Sequence, residues 1–244
     1  MRNMREIRLN KTCNYIHLMS GGLDSGYSLL RIAKEEKEKD PSVVIHPIFF
    51  DYGQFVAETE WASVIRIVGY IRDFLKKRSI ADDPVRISLK SELFRWSESD
   101  AFKGIEGNCD PEIESRNLIL FSVLTSYLIA CANHQKIPEA EFIISSGFKE
   151  KEMADCSSDF FKRFEELLSM YKPNMKFHFQ ILENWSRQKI VSETKKLLDF
   201  NETELKKFRK LTVSCYSQTI DGEPCGKCSK CKSLELEKMK THNN

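Results

Sequence analysis

The 244-residue chain is long enough to bury a core of substantial size, and it suits one α/β domain with an appendage or two small domains. Its 38 Lys and Arg residues against 36 Asp and Glu residues leave a net charge of +2, which excludes a global electrostatic case for binding nucleic acid or a membrane surface. No stretch approaches the roughly 18 apolar residues that cross a bilayer, and the polar, basic N-terminal residues do not resemble a signal peptide, so we expect a cytoplasmic protein.

The hydrophobic pattern predicts five strands that alternate with helices. Short apolar runs bounded by turn residues are typical of buried strands, and longer segments with apolar residues at helical spacing are typical of packed helices. The predicted order is strand Tyr15–Met19, helix Asp24–Glu38, strand Val43–Phe50, helix Ala57–Lys77, strand Val85–Leu89, helix Asn117–His134, strand Phe142–Ser146, helix Phe160–Tyr171, strand Phe177–Leu182, and helices Gln188–Leu198 and Glu202–Lys210.

This alternation predicts an α/β fold: an open parallel sheet with helices on both faces, of the Rossmann-like type. Pro47 predicts that the second strand lies at an edge of the sheet or is irregular. Ligands of such sheets bind at the carboxyl ends of the strands near the switch point. We therefore expect the chemistry directly after Met19, Phe50 and Ile144.

Two changes of pattern divide the chain. Residues 90–115 are polar and weakly periodic, and loops of that length in compact domains are often functional. After residue 185 the pattern changes to two short helices and a cysteine-rich tail. We predict a nucleotide-binding α/β domain at 1–185 and a C-terminal helical and four-cysteine zinc-binding region at 186–244.

Directly after the first predicted strand comes a candidate phosphate loop, Ser20-Gly21-Gly22-Leu23-Asp24-Ser25. Its two glycines permit a close backbone approach to a ligand, and the helix behind them presents free N–H groups and the positive end of its dipole. Asp24 is the exception, because a carboxylate repels phosphate unless it caps the helix or meets a magnesium ion. A helix-capping turn without a ligand is the alternative, and the strand–turn–helix context favours the phosphate loop.

The string SGGLDS resembles the pyrophosphate loop of the N-type ATP pyrophosphatases, the PP-loop superfamily. Members of this superfamily include GMP synthetase, NAD synthetase, tRNA-thiolating enzymes and 7-cyano-7-deazaguanine synthase. The resemblance implies that AMP passes from ATP to a carboxylate or carbonyl oxygen, that pyrophosphate leaves, and that a nucleophile displaces the AMP. It implies ATP and Mg²⁺ as cofactors, a catalytic role for Asp24, and cofactor binding by Ser20, Gly21, Gly22, Leu23, Asp24 and Ser25.

A second motif, Asp51-Tyr52-Gly53-Gln54, follows the second predicted strand. By itself it is a simple Asp/Gly turn. At the carboxyl end of a strand beside the phosphate loop, it predicts the rim of a nucleotide pocket. DYGQ with a glutamate at 58 or 60 resembles the corresponding stretch of the 7-cyano-7-deazaguanine synthase family, which implies that Asp51, Tyr52, Gly53 and Gln54 bind ATP.

Four of the eight cysteines form a candidate metal site: Cys215, Cys225, Cys228 and Cys231. Four thiolates suit tetrahedral zinc and leave no open coordination position, which predicts a structural site. A redox C-x-x-C pair is disfavoured by the number of cysteines, and an iron–sulfur cluster is not excluded by the spacing. The strings TVSCY and PCGKCSKC resemble the C-terminal zinc site of the same synthase family.

The middle of the chain resembles the family less closely. Ser115-Arg116-Asn117 is similar to the family's Gly-Arg-Asn at the active site, with Ser115 in the place of the glycine. Asn117 has a second interpretation as a helix cap. Arg116 is a fixed positive charge and suits contact with a phosphate or a carboxylate. The resemblance implies a catalytic role for Arg116 and substrate contacts for Arg116 and Asn117.

The loop after the fourth predicted strand corresponds to the family's Tyr-Pro-Asp-Cys-Arg segment, which faces the deazapurine. Asp155 and Cys156 match this segment, and Ser157 takes the place of the arginine. The resemblance implies that Asp155 binds the guanine-like N–H edge of the substrate. Arg187 replaces the family's lysine before the late helix, which implies a catalytic role, and Leu234 replaces an arginine after the last zinc cysteine.

The resemblance implies an ATP-dependent C–N ligase that adenylates the carboxylate of 7-carboxy-7-deazaguanine, a small deazapurine. In the resembled synthase ammonia attacks the acyl adenylate, and the amide becomes the nitrile 7-cyano-7-deazaguanine, as in queuosine-precursor synthesis. One alternative passes the deazaguanine to an amine of a partner protein, as is associated with relatives in bacterial antiphage defence. A lesser alternative is a non-catalytic zinc-ribbon module that binds nucleotide or RNA. We expect no membrane partner; a homodimer stays open.

Overall fold

The computed structural model describes residues 6–40, 42–89, 115–149, 154–182, 185–213, 215, 225–228 and 231. Within them, parallel strands form one sheet: β1 (Cys13–Met19), β2 (Ile45–Asp51), β3 (Val85–Ser88), β4 (Glu141–Lys149) and β5 (Lys176–Leu182). The helices are α1 (Leu23–Lys39), α2 (Ala57–Phe74), α3 (Arg116–His134), α4 (Ser158–Tyr171), α5 (Arg187–Leu197) and α6 (Glu202–Leu211), with 3₁₀ turns at Arg78–Ile80 and Ala154–Cys156. The predicted parallel α/β sheet is confirmed. The predicted loop 90–115, apart from Ser115, and the position of Leu234 lie outside the described residues.

The strand order β3-β2-β1-β4-β5 places β1 at the centre of the sheet. The chain first builds outward from β1 to β3, then returns to the other side of β1 and builds outward from β4 to β5. The order therefore reverses between β1 and β4, and in such sheets a ligand binds at the carboxyl ends of the strands that flank this switch point. The segment after Met19 and the end of β4 border that crevice.

Helices cover both faces of the sheet. Successive side chains of a strand point to opposite faces, so the apolar residues of β1 pack into two separate cores. Ile16 and Leu18 of β1 pack into a core with α3 and α4. Met19 packs into a second core with α1, α2, α5 and α6, in which Phe208 of α6 is fully buried. The predicted division at residue 185 falls just before α5, whose Ile190 joins the same core as α1; the division stays a prediction.

Pro47 lies in an inner strand where one side of the ladder is interrupted. It pairs with His17 of β1. On its other side, β3 pairs with β2 only from Ile48 onward, after an isolated bridge between Ile45 and Ala81. Proline has no N–H to donate, so it fits where hydrogen bonds to β3 are missing. The predicted edge position is wrong, and the predicted irregularity is confirmed.

Helix α3 is a core helix, although it is long and apolar enough to cross a membrane by length and composition. Half of its most apolar window is buried. The ring of Phe121 meets Phe161 of α4 and Phe179 of β5 edge to face, with centroids 5.0 and 5.2 Å away. The apolar character of α3 is therefore explained by packing against the sheet.

Candidate active site

The segment between β1 and α1 is a tight turn that two serines hold together. Ser25 Oγ accepts the backbone N–H of Ser20 at 3.2 Å and donates to the carbonyl of Gly22 at 3.1 Å. Ser20 Oγ accepts the N–H of Gly22 at 3.4 Å. Helix α1 begins directly after Gly22, and Asp24 lies half-buried in its first turn, where the helix dipole stabilises a carboxylate. The turn thus sets the N-terminus of α1 at the switch point.

Two glycines bring neighbouring elements into contact with this turn. Gly21 has a φ of +70°, and a Cβ at this position would lie 2.6 Å from the carbonyl oxygen of Glu60 in α2. A Cβ at Gly147 of β4 would lie 2.4 Å from the backbone nitrogen of Ser25. Neither distance leaves room for a side chain, so both positions require glycine. The sequence indicated the importance of Gly21 but assigned Gly147 no role beyond ending a strand.

The carbonyl of Gly21 ties the turn to the segment that follows α6. It accepts the N–H of Val213 at 2.8 Å and the hydroxyl of Ser63 at 2.7 Å. The same hydroxyl lies 2.5 Å from the carbonyl of Leu211, so one proton serves two acceptors. The segment from Leu211 to Val213 therefore runs alongside the Ser20–Ser25 turn.

The turn after β2 is organised around a buried carboxylate. Asp51 is 1% exposed; it accepts the N–H of Gly53 at 3.1 Å and binds Arg86 Nη2 at 2.6 Å. Arg86 also binds Glu58, and the hydrogen bonds to Glu58 and Asp51 raise the pKa of the guanidinium. The carboxylate of Asp51 is thus occupied by protein donors.

Gln54 completes this turn from the inside. Its Oε1 accepts the N–H of Tyr52 at 3.0 Å, and its Nε2 donates to Glu60 at 2.9 Å. Tyr52 is half-buried and Gly53 is exposed. Of the four residues predicted at the nucleotide rim, Asp51 and Gln54 hold the shape of the turn, and Tyr52 and Gly53 form its accessible part.

A second group of candidate residues meets at the N-terminus of α3. Asp155 accepts the backbone N–H of Asn117 at 3.0 Å and its Nδ2 at 3.3 Å. Asn117 is 1% exposed, and its Nδ2 also lies 2.9 Å from Cys156 Sγ. Its Oδ1 is buried and finds no hydrogen-bond partner in the part of the chain that the structure describes. Asn117 therefore does not cap α3 with its own side chain; Asp155 caps the helix for it.

The two candidate arginines each open a helix. Arg116 is the first residue of α3, after Ser115, which holds a left-handed φ of 57° where the resembled family has glycine. Arg187 is the first residue of α5. The ring of Trp185 lies 5.3 Å from that of Tyr27, so the N-terminus of α5 lies beside α1. Arg116 is the chain neighbour of Asn117, which binds Asp155, whereas Arg187 opens a helix that packs against α1.

A buried histidine that belongs to none of the sequence motifs links the sheet to the Ser20–Ser25 turn. His17 Nε2 lies 2.9 Å from the carbonyl oxygen of Ser25, and Nδ1 lies 2.7 Å from Ser145 Oγ. A carbonyl only accepts, so Nε2 carries the proton and Nδ1 accepts from the serine. Burial lowers the pKa of His17 to about 4, so the ring is neutral at pH 7. The only signal in the sequence was a polar residue within an apolar strand.

The four predicted zinc ligands converge. All four Sγ atoms lie within 4.8 Å of one another, and the pairs Cys225–Cys231 and Cys215–Cys228 are 3.9 and 4.0 Å apart. Sulfur ligands about 2.3 Å from a tetrahedral zinc lie about 3.8 Å from each other, so the group is compatible with zinc.

Backbone donors favour the thiolate form of Cys225, whereas burial raises the pKa of Cys231 in the same cluster. The N–H groups of Cys225, Cys228 and Cys231 point to the sulfurs of Cys215, Cys225 and Cys228 at 3.2 to 3.4 Å. Burial raises the pKa of Cys225, but the N–H groups of Lys227 and Cys228 outweigh it and bring the pKa to about 7. Such donors orient metal ligands and keep them in the ligating form.

Comparison with known proteins gives one consistent result. A family profile described as "Queuosine biosynthesis protein QueC" matches residues 14–236, a range that contains every candidate site residue. A protein named 7-cyano-7-deazaguanine synthase from Prochlorococcus marinus strain AS9601 is 29% identical over 249 residues, which covers 96% of this chain and 98% of that protein. A protein of the same name from Pseudomonas fluorescens strain Pf0-1 is 25% identical over 231 residues, 88% of this chain and 86% of that protein.

Proposed function

Since the chain belongs to the QueC family of queuosine biosynthesis proteins, we propose that it is an enzyme of 7-cyano-7-deazaguanine synthesis that uses ATP to activate 7-carboxy-7-deazaguanine. The observation that carries the proposal is the position of the Ser20–Ser25 turn. It opens α1 at the switch point of the sheet, where N–H groups and the helix dipole favour a phosphate.

The proposed reaction has two steps. In the first, a carboxylate oxygen of the deazaguanine attacks the α-phosphorus of ATP, the bond to the β-phosphate bridging oxygen breaks, and pyrophosphate leaves. In the second, an amine nitrogen attacks the carbonyl carbon of the acyl adenylate, AMP leaves, and the nitrogen loses a proton. With ammonia the product is the amide, and a second activation by ATP converts its oxygen into the leaving group for the nitrile.

The phosphate side of the site is assigned to the loop and to two arginines. N–H groups of the Ser20–Ser25 turn bind the phosphates, and Tyr52 and Gly53 line the nucleotide rim. Asp24, in the first turn of α1, would hold Mg²⁺, which would neutralise phosphate charge. Arg116 and Arg187 stabilise the charge that develops on the α-phosphorus and on pyrophosphate, and electrostatic stabilisation of this kind usually contributes most to the rate enhancement of an enzyme.

The deazapurine side is assigned to the residues at the start of α3. Asn117 Oδ1 is a buried acceptor with no partner among the described residues, and an orphaned acceptor supports an N–H group of a ligand in that place. Asp155 holds Asn117 in position and has lone pairs left for a second N–H group. The four cysteines would hold zinc in a closed structural role, since their donor set leaves no open position.

An ATP–pyrophosphate exchange assay with 7-carboxy-7-deazaguanine tests the proposal. Wild-type protein is expected to exchange label only when the carboxylate is present, and Asp24→Asn is expected to lower the rate at least tenfold, roughly the loss of one charge contact at the phosphates. Glu38→Gln, an exposed acid at the far end of the same helix, is the matched control and should exchange like wild type. Folded, ATP-bound wild type without carboxylate-dependent exchange would exclude acyl-adenylate chemistry.

A second acceptor, an amine of a partner protein, is favoured by one observation. Ser157 takes the place of the family's arginine, and its Oγ accepts the N–H of Phe160 as the N-cap of α4. The position therefore supplies a helix cap and no guanidinium to the substrate loop. Mass spectrometry of reactions with ammonium and with a co-expressed candidate protein separates the acceptors, because the conjugate carries the added mass of the deazaguanine on the protein.

A further inference from the structure

We propose that His17 is a positioning residue for the phosphate loop, and that it fixes the first turn of α1 by donating from Nε2 to the carbonyl of Ser25 while Ser145 fixes the ring. The inference rests on the proposed function in that the Ser20–Ser25 turn is taken as the ATP site. It adds a residue of β1 that no sequence motif includes.

The orientation of His17 is set by the sheet itself. His17 and Ser145 are register partners on the neighbouring strands β1 and β4, and the hydroxyl lies 2.7 Å from Nδ1. Ser145 Oγ also lies 3.3 Å from the carbonyl of Ile16, but its single proton goes to the closer acceptor. The ring is fully buried and both its nitrogens have partners. One tautomer alone satisfies both contacts.

Ser25 transmits this restraint to the loop. Its carbonyl accepts from His17, and its Oγ accepts the N–H of Ser20 and donates to the carbonyl of Gly22. Gly147 of β4 packs directly against its backbone nitrogen. A shift of Ser25 therefore moves the amides on both sides of the turn that face the proposed phosphates.

An aliphatic side chain at position 17 would fill the same apolar strand but would not hold the carbonyl of Ser25. A loop whose amides are misplaced by about 1 Å loses one to two orders of magnitude in function. The expected defect is thus in nucleotide binding and loop order rather than in global folding.

The test uses the full-length, zinc-loaded protein with three variants: His17→Leu, His17→Gln and His46→Leu. Glutamine carries a donor and an acceptor at a similar spacing, so it restores the contacts in part. His46 is the matched control, because it is also a buried histidine in the sheet, on β2, and its near neighbour is Asp82 rather than the loop. Mg·ATP affinity is measured by calorimetry, and loop order by amide hydrogen exchange over residues 20–29.

We expect His17→Leu to bind Mg·ATP about tenfold more weakly than wild type and to show faster amide exchange over residues 20–29. His17→Gln should recover part of both losses, and His46→Leu should behave like wild type. Unchanged binding and exchange in His17→Leu, or equal losses in His46→Leu, would overturn the inference. If His17→Leu does not fold, Ser145→Ala replaces it in the test, because this variant keeps the histidine and removes the donor to its ring. Ser145→Ala should show the same faster amide exchange over residues 20–29. An exchange rate equal to that of wild type would contradict the inference. Wild-type protein that does not bind ATP would refute the proposed function alone, because the exchange comparison still decides the role of His17.

Discussion

The carboxylate of Asp155 caps helix α3 from outside the helix, because it accepts the backbone N–H of Asn117 at 3.0 Å. It also accepts the side-chain amide of Asn117, so the turn that follows β4 and the start of α3 form one hydrogen-bonded unit. A residue proposed to bind substrate therefore also holds the fold. Its two roles are separable because Asp155→Asn keeps one acceptor oxygen for the cap, but removes the negative charge and the second acceptor oxygen that are available to substrate N–H groups.

Replacement of Asp155 by alanine should destabilise the protein. The variant loses the acceptor for the first turn of α3, and loss of such a cap costs about 1–2 kcal/mol in the free energy of unfolding. Asp155→Asn keeps an oxygen in place and should lose less than half of that. Urea unfolding followed by circular dichroism measures both values.

Asp159→Ala is the control for the Asp155 variants, because its ion pair with Arg163 is exposed on both sides and contributes little to stability. Equal losses in Asp155→Ala and Asp159→Ala would contradict the capping role. A stable Asp155→Asn variant that loses carboxylate-dependent exchange would assign the charge of Asp155 to the substrate.

Ser115→Gly should stabilise the protein. Ser115 has a φ of 57°, a left-handed conformation that costs a residue with a Cβ about 1–2 kcal/mol, and glycine removes this cost. Glycine also loses more backbone freedom on folding, which offsets about 0.4–1 kcal/mol of the gain. The expected net gain is about 0.5–1 kcal/mol by chemical denaturation. The same substitution at exposed Ser122 within α3 should have the opposite sign, a loss of about 1 kcal/mol. A loss at both positions would show that Ser115 is not strained.

The buried ring of His17 should make stability fall in acid. Burial lowers its pKa from 6.5 to about 4. Between these pH values the unfolded chain takes up a proton at His17 that the folded protein does not. The stability that the neutral, buried ring contributes is therefore fully present above pH 6.5 and is lost as the pH falls toward 4. The loss is about 3 kcal/mol, at about 1.4 kcal/mol per pKa unit.

Denaturation of wild type and His17→Gln from pH 7 to pH 4 checks this dependence. The variant should lose less stability over the interval, because it has no group to titrate there. His46→Leu should also flatten the profile in part, since burial lowers the pKa of His46 as well. Parallel profiles for wild type and His17→Gln would refute the assignment.

The four-cysteine cluster should hold one zinc per chain, measured by elemental mass spectrometry. Cys228→Ser should abolish stoichiometric zinc, because Cys228 is fully buried within the cluster. Cys131→Ser, at a buried cysteine of α3, should retain one zinc. Removal of zinc with a chelator should also speed hydrogen exchange around Gly21, because Val213 donates to its carbonyl two residues before Cys215. Wild-type zinc content in Cys228→Ser would contradict the site.

The alternation of strands and helices could be predicted from the sequence because the hydrophobic residues recur with a clear strand or helix spacing. The predicted ends of these elements agree with the structure to within a few residues. The largest differences are three residues: α2 ends at Phe74 instead of Lys77, and β4 runs to Lys149 instead of ending at Ser146. A Ser-Ser-Gly string has the composition of a turn. Here, however, Gly147 serves a close approach to Ser25, and the ladder to β5 resumes at Lys149 beyond an irregularity.

The candidate site was predictable where its residues are contiguous. The Ser20–Ser25 turn and the four cysteines are local strings, so their geometry follows from spacing. The partners of His17, Asp51 and Asn117 lie on other elements, and no local pattern identifies Ser145, Arg86 or Asp155 as those partners. Capping by Asp155 and the buried histidine therefore required the structure.

The hydrogen bond between Val213 and Gly21 has a consequence for the synthesis of the protein on the ribosome. The ribosome synthesises the glycine turn before α1, and it synthesises the segment that binds the carbonyl of Gly21 only after α6. Nascent chains that end before α6 keep the Ser63 hydrogen bond to Gly21 but lack the one from Val213, so their affinity for nucleotide should be lower than that of the longer chain. A chain truncated before α6 would lack the Val213 hydrogen bond to the turn, and full affinity for nucleotide would require synthesis of the segment that follows α6.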